Sequence, residues 1–236
     1  MQLIKQQTME YVIKPIAYIH TDFPDKFGVP RQFGIADGLE AQIIFEEEFR
    51  RVEAVKELDG YSHIWLIWQF SKNLEEGWRA TVRPPRLGGN RRVGVFASRS
   101  PFRPNHLGLS AVKLLKVDTE CPNAPVLTVA GADLVDGTPI FDIKPYIPGN
   151  DIIEGSVGGF TEGLKDKEME VVCPEELIGL IPEEKRAGLL QVLKLDPKPS
   201  YQDDSARIYG FGFAGFEVRF KSERNRIVVT EIIENS

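Results

Sequence analysis

The sequence is poor in the residues that build metal centres and disulfide frameworks. It has two cysteines and three histidines. Cys121 and Cys173 lie far apart, each beside a proline, a spacing typical neither of a zinc knuckle nor of a disulfide scaffold. His20, His63 and His106 are equally scattered, so we expect no metal. We expect both thiols to stay reduced in a cytoplasm.

Long hydrophobic runs are also missing. No stretch approaches the roughly 20 apolar residues needed to cross a bilayer. The first 20 residues hold no continuous apolar region, because lysine, glutamine and glutamate interrupt them. We therefore expect no membrane partner and no secretion, and we place the protein in the cytoplasm.

Several common catalytic motifs are absent as well. The sequence has no Gly-x-Ser-x-Gly elbow, no Walker phosphate loop and no His-Glu-x-x-His pair. Its nearest approach to a glycine-rich nucleotide loop is LGGNRRVGVF, which leads into a predicted strand. No helix N-terminus is then available to hold a phosphate, which disfavours a Rossmann cofactor domain.

Positive charge is concentrated in one segment of an acidic protein. The net charge is -6, which by itself argues against a generic nucleic-acid binder. From Arg79 to Arg103, however, seven arginines occur without one aspartate, glutamate or lysine. A solvated surface is the ordinary explanation of such a run. Because seven uncompensated charges repel each other, we favour an anionic partner.

Short apolar runs separated by glycine, proline, asparagine and aspartate predict a mainly β protein. Seven such runs lie between residues 11 and 147, at the regular spacing typical of a β-barrel or sandwich. RVGVFAS is one of them. The segment EEEFRRVEAVKELDG predicts a single helix, since its apolar residues recur at helical intervals and Gly60 ends it.

A change in amino-acid composition after Ile153 predicts a domain boundary. Four glycines lie between residues 155 and 163, so we assign residues 1–154 to a β-barrel domain and residues 164–236 to a second, small α+β domain. In the second domain, Pro182 precedes a predicted helix that contains Leu189 and Leu193. Two alternating apolar runs around the polar segment SERNR predict a β-hairpin.

Three segments carry unusual polar residues. KFGVPRQFGIA presents Arg31 and Gln32 on a stiff turn, and an ordinary surface turn explains it equally well. SRSPFRPNHLG has two prolines that fix the backbone around donor side chains. DGTPIFDIKPYIPG places Asp142, Lys144 and Tyr146 at alternate positions, which puts them on one face of a strand. Asp142 and Lys144 could also be only a neighbouring ion pair.

Together with YSHIW, these segments resemble the TrmO (TsaA-like) family of tRNA methyltransferases, in the family's order, from about Tyr11 to Pro148. The tail is similar to the C-terminal domain of longer bacterial members. The resemblance implies a β-barrel enzyme that uses S-adenosylmethionine and works as a homodimer, with the cofactor near the subunit interface. It further implies methylation of the exocyclic nitrogen of threonylcarbamoyladenosine, beside the anticodon of a threonine tRNA.

The resemblance also implies roles for particular residues. The cofactor-binding candidates are Arg31, Gln32, Ser98, Arg99, Ser100, Asn105 and Asp142. The catalytic candidates are Asp142, Tyr146, Lys144 and Arg103. The candidates for tracking the backbone of the anticodon stem-loop are Arg79, Arg83, Arg86, Arg91 and Arg92. No role passes to His106, where the family often has proline.

In this interpretation the protein contributes mainly alignment of the reactants, which can supply about 7 to 11 kcal/mol. Asp142 is the first candidate to accept the proton of the nitrogen and Tyr146 the second, while Lys144 positions an anionic group. Two other classes stay open from the residues alone. One is a non-catalytic RNA-binding or ligand-sensing barrel, and the other is an enzyme for a small anionic metabolite.

Overall fold

The computed structural model describes residues 10–30, 33–34, 38–84, 87, 91–163, 168–198, 204 and 206–235. The N-terminal part of the chain, from Ala17 to Pro145, forms a closed barrel. Its strands are β1 (Ala17–His20), β2 (Glu40–Phe45), β3 (His63–Gln69), β6 (Leu107–Asp118), β7 (Val126–Ala130) and β8 (Thr138–Pro145). They are antiparallel and follow the order β1, β2, β7, β6, β3, β8 around the barrel. The predicted β-barrel is therefore confirmed.

The barrel core follows the two-residue period of its strands. In β3, Ile64, Leu66 and Trp68 are buried, whereas the alternate residues Trp65 and Ile67 face outward. The inward residues of all six strands share one hydrophobic core. The solvent-accessible polar groups of this fold therefore lie on the outer face or at the rim.

A short β-ribbon stands beside the barrel. It consists of β4 (Thr81–Val82) and β5 (Val93–Gly94), followed by a 3-10 turn at Val95–Ala97. The prediction that all of RVGVFAS is a strand is therefore wrong after Gly94. The buried side chain of Val95 anchors this point, and the Val95 carbonyl accepts bonds from the backbone and hydroxyl of Ser98, which close a turn.

The helix predicted over EEEFRRVEAVKELDG is also wrong. Three separate 3-10 turns take its place, at Glu47–Phe49, Val52–Val55 and Leu58–Gly60. The backbone is extended at Arg51 and left-handed at Glu57, where φ is 66°. The periodic apolar residues Phe49, Val55 and Leu58 pack onto the barrel core one by one, so tertiary contacts replace a continuous helix.

The C-terminal part of the chain, from Glu170 to Glu234, forms a small α+β domain. Its helices are α2 (Glu175–Ile178) and α3 (Glu183–Lys194), and its strands are β9 (Glu170–Val172), β10 (Ile208–Phe213), β11 (Phe216–Glu223) and β12 (Arg226–Glu234). The connection between the barrel and this domain contains the single-turn helix α1 (Pro148–Asp151) and a 3-10 turn at Gly159–Thr161. Within the barrel region, a further 3-10 turn occupies Ser71–Glu76, just after β3.

The sheet of this C-terminal domain has the order β10, β11, β12, β9, with β9 parallel to β12. The predicted helix after Pro182 and the predicted hairpin around SERNR are both confirmed. The first apolar run of that hairpin contains a further turn at Ala214–Gly215, which divides it into β10 and β11. The exact boundary between the two domains stays a prediction.

Residues 21–39 connect β1 to β2, and the described parts of this β1–β2 loop are 21–30, 33–34 and 38–39. The loop leaves the barrel after β1 and packs against the C-terminal domain. Its described residues Phe23 and Leu39 belong to that domain's hydrophobic core, which α3 and the sheet provide. The two halves of the chain are thus joined by a segment that belongs in sequence to the barrel. No helix within the described ranges is long and apolar enough to cross a membrane.

Candidate active site

An open cleft of about 1710 Å³ runs along the outer face of the barrel beside the arginine-rich segment. One wall is the outward side of β3 and β6, where Ile67, Gln69 and Leu109 contribute. Six of the seven arginines lie in the described part of the chain, and five of these line the cleft: Arg79, Arg83, Arg92, Arg99 and Arg103. Their guanidinium groups give the cleft a positive charge within an acidic protein.

The segment SRSPFRPNHLG forms a loop that is bonded to itself. The Nη1 atom of Arg103 donates to the carbonyl oxygens of Ser98 at 2.7 Å and Val95 at 3.4 Å. The hydroxyl oxygens of Ser98 and Ser100 accept bonds from backbone amides two residues further on. Arg103 therefore acts on the loop backbone, as a positioning residue, and the two serines shape the same turn.

Gly108, at the end of this segment, is required by a close approach. A Cβ atom at Gly108 would lie 2.3 Å from Cε2 of Trp68, its partner across the β3–β6 ladder. The indole of Trp68 can therefore lie flat against the strand, where its Nε1 donates to the hydroxyl of Ser110 at 3.0 Å. That hydroxyl donates in turn to the Oδ1 atom of Asp133 at 2.6 Å.

Asp133 is a functional candidate that the sequence reasoning missed. Its carboxyl lines the cleft at the end of the Trp68–Ser110 chain. Burial raises the pKa of this carboxyl, while the Ser110 hydroxyl and the guanidinium of Arg99 act in the opposite direction. An acid between the buried residues Ala132 and Leu134 is the signal that could have found it, because such burial needs a reason.

A row of aromatic rings continues from Arg99 along the outer face. The Arg99 guanidinium lies 5.4 Å from the centre of the Phe33 ring. Phe33 meets Trp65 edge-on at 6.2 Å, and Trp65 packs against Tyr146 at 5.4 Å. The row connects the arginine loop to the strand that carries Asp142.

Asp142 and Lys144 lie on the same outer face as the cleft. In the β3–β8 ladder, Asp142 is opposite Ile67 and Lys144 is opposite Trp65, so their side chains share one side of the sheet. Asp142 Oδ2 and Lys144 Nζ are 2.9 Å apart, which agrees with the predicted alternation. Neither residue lines the cleft itself. Asp142 borders it, one strand away from the wall formed by Ile67.

Not every predicted site residue reaches this region. Arg31, Gln32 and Arg86 fall outside the described residues. Asn105 and Arg91 are exposed and do not line the cleft. Two of the arginines that line the cleft also have local partners: Arg79 stacks on Phe102 at 4.3 Å, and Arg92 donates to the Thr81 hydroxyl. No grouping of three or more histidine, cysteine, aspartate or glutamate side chains suited to a metal occurs among the residues that the structure covers.

A closed barrel with arginines and a row of rings on one outer face, and with a half-buried carboxyl lining the same cleft, suits an enzyme for an aromatic, anionic substrate. The chain belongs to the tRNA-methyltransferase O (TrmO) family. The family's N-terminal domain matches residues 18–152, and its C-terminal domain matches residues 179–235. The resemblance found in the sequence motifs is thereby confirmed.

Individual relatives cover nearly the whole chain. The tRNA (adenine(37)-N6)-methyltransferase of Escherichia coli strain K12 is 36% identical over 219 residues, which are 89% of this chain and 93% of that protein. RcsF of Pseudomonas aeruginosa, named as an S-adenosylmethionine-dependent methyltransferase, is 36% identical over 227 residues, 93% of this chain and 96% of that protein. A crystal structure of TrmO from Pseudomonas aeruginosa has a TM-score of 0.77 at 29% identity, and the match covers 96% of this chain and 99% of that one.

Proposed function

We propose that this protein methylates the exocyclic nitrogen of threonylcarbamoyladenosine beside the anticodon of threonine tRNA, as a cytoplasmic homodimer. The coarser part of this statement follows from family membership. The chain is a tRNA methyltransferase that modifies the N6 position of adenine 37, with S-adenosylmethionine as its methyl donor. The modified substrate, the isoacceptor, the dimer and the compartment are our proposal.

The observation that supports the proposal is that groups suited to an RNA backbone and groups suited to a single base lie beside each other on one outer face. Arginines that line the cleft suit the phosphates of an RNA backbone. Phe96, which also lines it, is 74% exposed, so its ring is free to stack on an unpaired base of an anticodon loop. Asp142 borders the same cleft and offers a carboxylate to the exocyclic nitrogen of such a base.

The residues present suit S-adenosylmethionine. When bound, this cofactor supplies the methyl group of its sulfonium. The half-buried carboxyl of Asp133 lines the cleft, and the rings of Phe33 and Trp65 continue from Arg99, which lines it too. Both carboxylates and ring faces attract a cation. Arg99, above the Phe33 ring, is available for a carboxylate. The volume of the cleft leaves room for a cofactor beside a nucleotide.

The catalytic work of the chain is then positioning and one proton transfer. A carboxylate oxygen of Asp142 accepts the proton of the exocyclic nitrogen. The transfer is needed because the nitrogen is a poor nucleophile until it has lost this proton. Lys144, at 2.9 Å from Asp142, orients this carboxylate and contributes positive charge for the threonyl carboxylate of the substrate. Arg103 keeps the SRSPFRPN loop in one conformation through its bonds to Ser98 and Val95.

The homodimer is supported by exposed apolar residues next to this strand. Just beyond β8, Ile147, Ile152, Ile153 and Val157 are 41%, 64%, 71% and 77% exposed. Such a group is costly to leave in water. A partner subunit that covers it would stand close to Asp142 and Tyr146, in keeping with a site near a subunit interface.

The test uses labelled S-adenosylmethionine with two preparations of bulk tRNA, one carrying the threonylcarbamoyl modification and one from cells that lack it. We expect label only in the modified preparation, and only in threonine tRNA after fractionation. Label in unmodified tRNA would refute the proposed substrate. Cofactor binding without transfer to either preparation would favour a ligand-sensing barrel.

A further inference from the structure

The β1–β2 loop, residues 21–39, is held at both ends by the C-terminal domain. Phe23 and Leu39 are 2% and 6% exposed and lie in the core of that domain. Phe27 and Val29 pack against the same core. A connection between two neighbouring barrel strands needs no such anchorage, because strands in one barrel are already joined by their ladder.

Polar contacts tie the first end of the loop. The Nζ atom of Lys185, on α3, lies 2.7 Å from Oδ2 of Asp22, and these side chains are only 23% and 14% exposed. The backbone amide of Ala214, in the turn between β10 and β11, donates to the carbonyl of Asp22 at 2.9 Å. An ion pair so shielded from water is screened weakly by salt.

Close packing fixes the rest of the loop. The rings of Phe23 and Phe213 are 5.6 Å apart. At Gly28, where φ is +94°, a Cβ atom would lie 2.3 Å from Cδ2 of Phe211. At Gly188, on α3, a Cβ atom would lie 2.1 Å from Cδ2 of Leu39. Both glycines therefore allow the loop and the C-terminal domain to approach more closely than any side chain would permit.

Beyond these anchors the loop enters the cleft. Val29 and Pro30 line it, and the next described residue, Phe33, lies against the guanidinium of Arg99. The amide of Gly34 donates to the carbonyl of Gly131 on the barrel at 3.0 Å. In the chain, Phe33 thus follows a segment held by the C-terminal domain and precedes Gly34, which is held by the barrel.

We propose that the C-terminal domain positions Val29, Pro30 and Phe33 of the β1–β2 loop for cofactor binding, and that Lys185, Gly188 and Phe211 are its positioning residues. The proposal rests on the proposed function, since it assigns the loop to the cofactor. A loop held in advance loses less conformational entropy when a ligand binds, so its anchorage adds directly to affinity. The C-terminal domain then serves the methyl-transfer site without contacting the methyl donor.

Gly188→Ala is the sharpest perturbation. The added methyl group must displace Leu39, whereas alanine favours the helix in which it stands. The matched control is Ile227→Ala, which opens a cavity in the same core but lies at the other end of the sheet, opposite Val171 and Ser222. Lys185→Met is the second variant, with Lys185→Arg as its conservative rescue.

Two readouts are needed on the full-length protein. One is hydrogen exchange of the peptide covering residues 22–34, and the other is the Kd for S-adenosylmethionine measured by calorimetry. We expect Gly188→Ala and Lys185→Met to speed exchange in that peptide and to raise the Kd about tenfold or more. Ile227→Ala and Lys185→Arg should leave both close to wild type.

Each outcome either supports or overturns the inference. Exchange that is unchanged in Gly188→Ala and Lys185→Met overturns the inference, as does faster exchange with an unchanged Kd. An equal effect of Ile227→Ala overturns it too, because general destabilisation would then explain the loss. A wild-type protein that does not bind S-adenosylmethionine refutes the proposed function, and this result is obtained without any variant.

Discussion

Replacement of Asp133 by asparagine should weaken cofactor binding while making the barrel more stable. Asparagine keeps an acceptor for the Ser110 hydroxyl, which now lies 2.6 Å from Oδ1, but it removes the charge. The charge that attracts the sulfonium of the cofactor is then lost, so we expect the Kd to rise about tenfold or more. Calorimetry with S-adenosylmethionine measures it.

The stability of Asp133→Asn should depend on pH with a definite sign. Since burial raises the pKa of the Asp133 carboxyl in the folded state, the folded protein binds that proton more tightly than the unfolded chain does. The wild type therefore loses stability as the pH rises from the unfolded pKa of about 3.9 through the higher folded pKa. Asparagine does not titrate, so the gain in stability of Asp133→Asn over the wild type should be largest at neutral pH.

Urea unfolding followed by tryptophan fluorescence is the suitable assay. All three tryptophans, Trp65, Trp68 and Trp78, lie in the first half of the chain, so the signal reports on the barrel. The midpoint of Asp133→Asn should exceed that of the wild type at pH 7.5, and the difference should narrow as the pH is lowered toward about 4. An unchanged Kd, or a stability difference that grows on acidification, would refute the reasoning.

Further predictions concern the other residues of the cleft. Arg103→Lys keeps the charge but loses the planar donor group that serves Ser98 and Val95, so methylation should fall about tenfold or more; wild-type turnover would refute this. Asp142→Asn should lower kcat by about 100- to 10,000-fold without changing the KM for tRNA. Phe96→Leu should weaken tRNA binding by about 1 to 3 kcal/mol, and Phe96→Trp should not. Arg83→Ala should reduce the slope of log K against log salt by about 1; an unchanged slope would place RNA elsewhere.

The strands and their faces could be predicted from the sequence because alternation is a local property. Asp142 and Lys144 do share one face, as their spacing indicates, and the observed β3–β8 register places them beside Ile67 and Trp65. The helix predicted over residues 46–60 was wrong for the converse reason. Its apolar period is genuine, but Val55 and its neighbours are buried by the barrel core and not by a helix packing as one body.

The residues of the site were predictable only where a motif carried them. The sequence indicates a role for Arg103 because it is a charged residue between prolines. Its hydrogen bond to the Ser98 carbonyl, however, is visible only in three dimensions. Asp133 lies in a segment of ordinary apolar character, and its importance comes from Ser110, 23 residues earlier, and from Arg99. No local spacing records such partners.

By itself, the sequence determined the class of the protein: a mainly β chain with an arginine-rich segment, three rigid polar motifs and a small second domain. It could do so because composition, period and turn chemistry act between neighbours along the chain. Only the tertiary structure decided that Lys185 and Phe211 of the C-terminal domain contact the β1–β2 loop. The same holds for the hydrogen bonds that link Trp68 to Ser110 and Ser110 to Asp133. These contacts join residues far apart in the chain, and packing in three dimensions selects them.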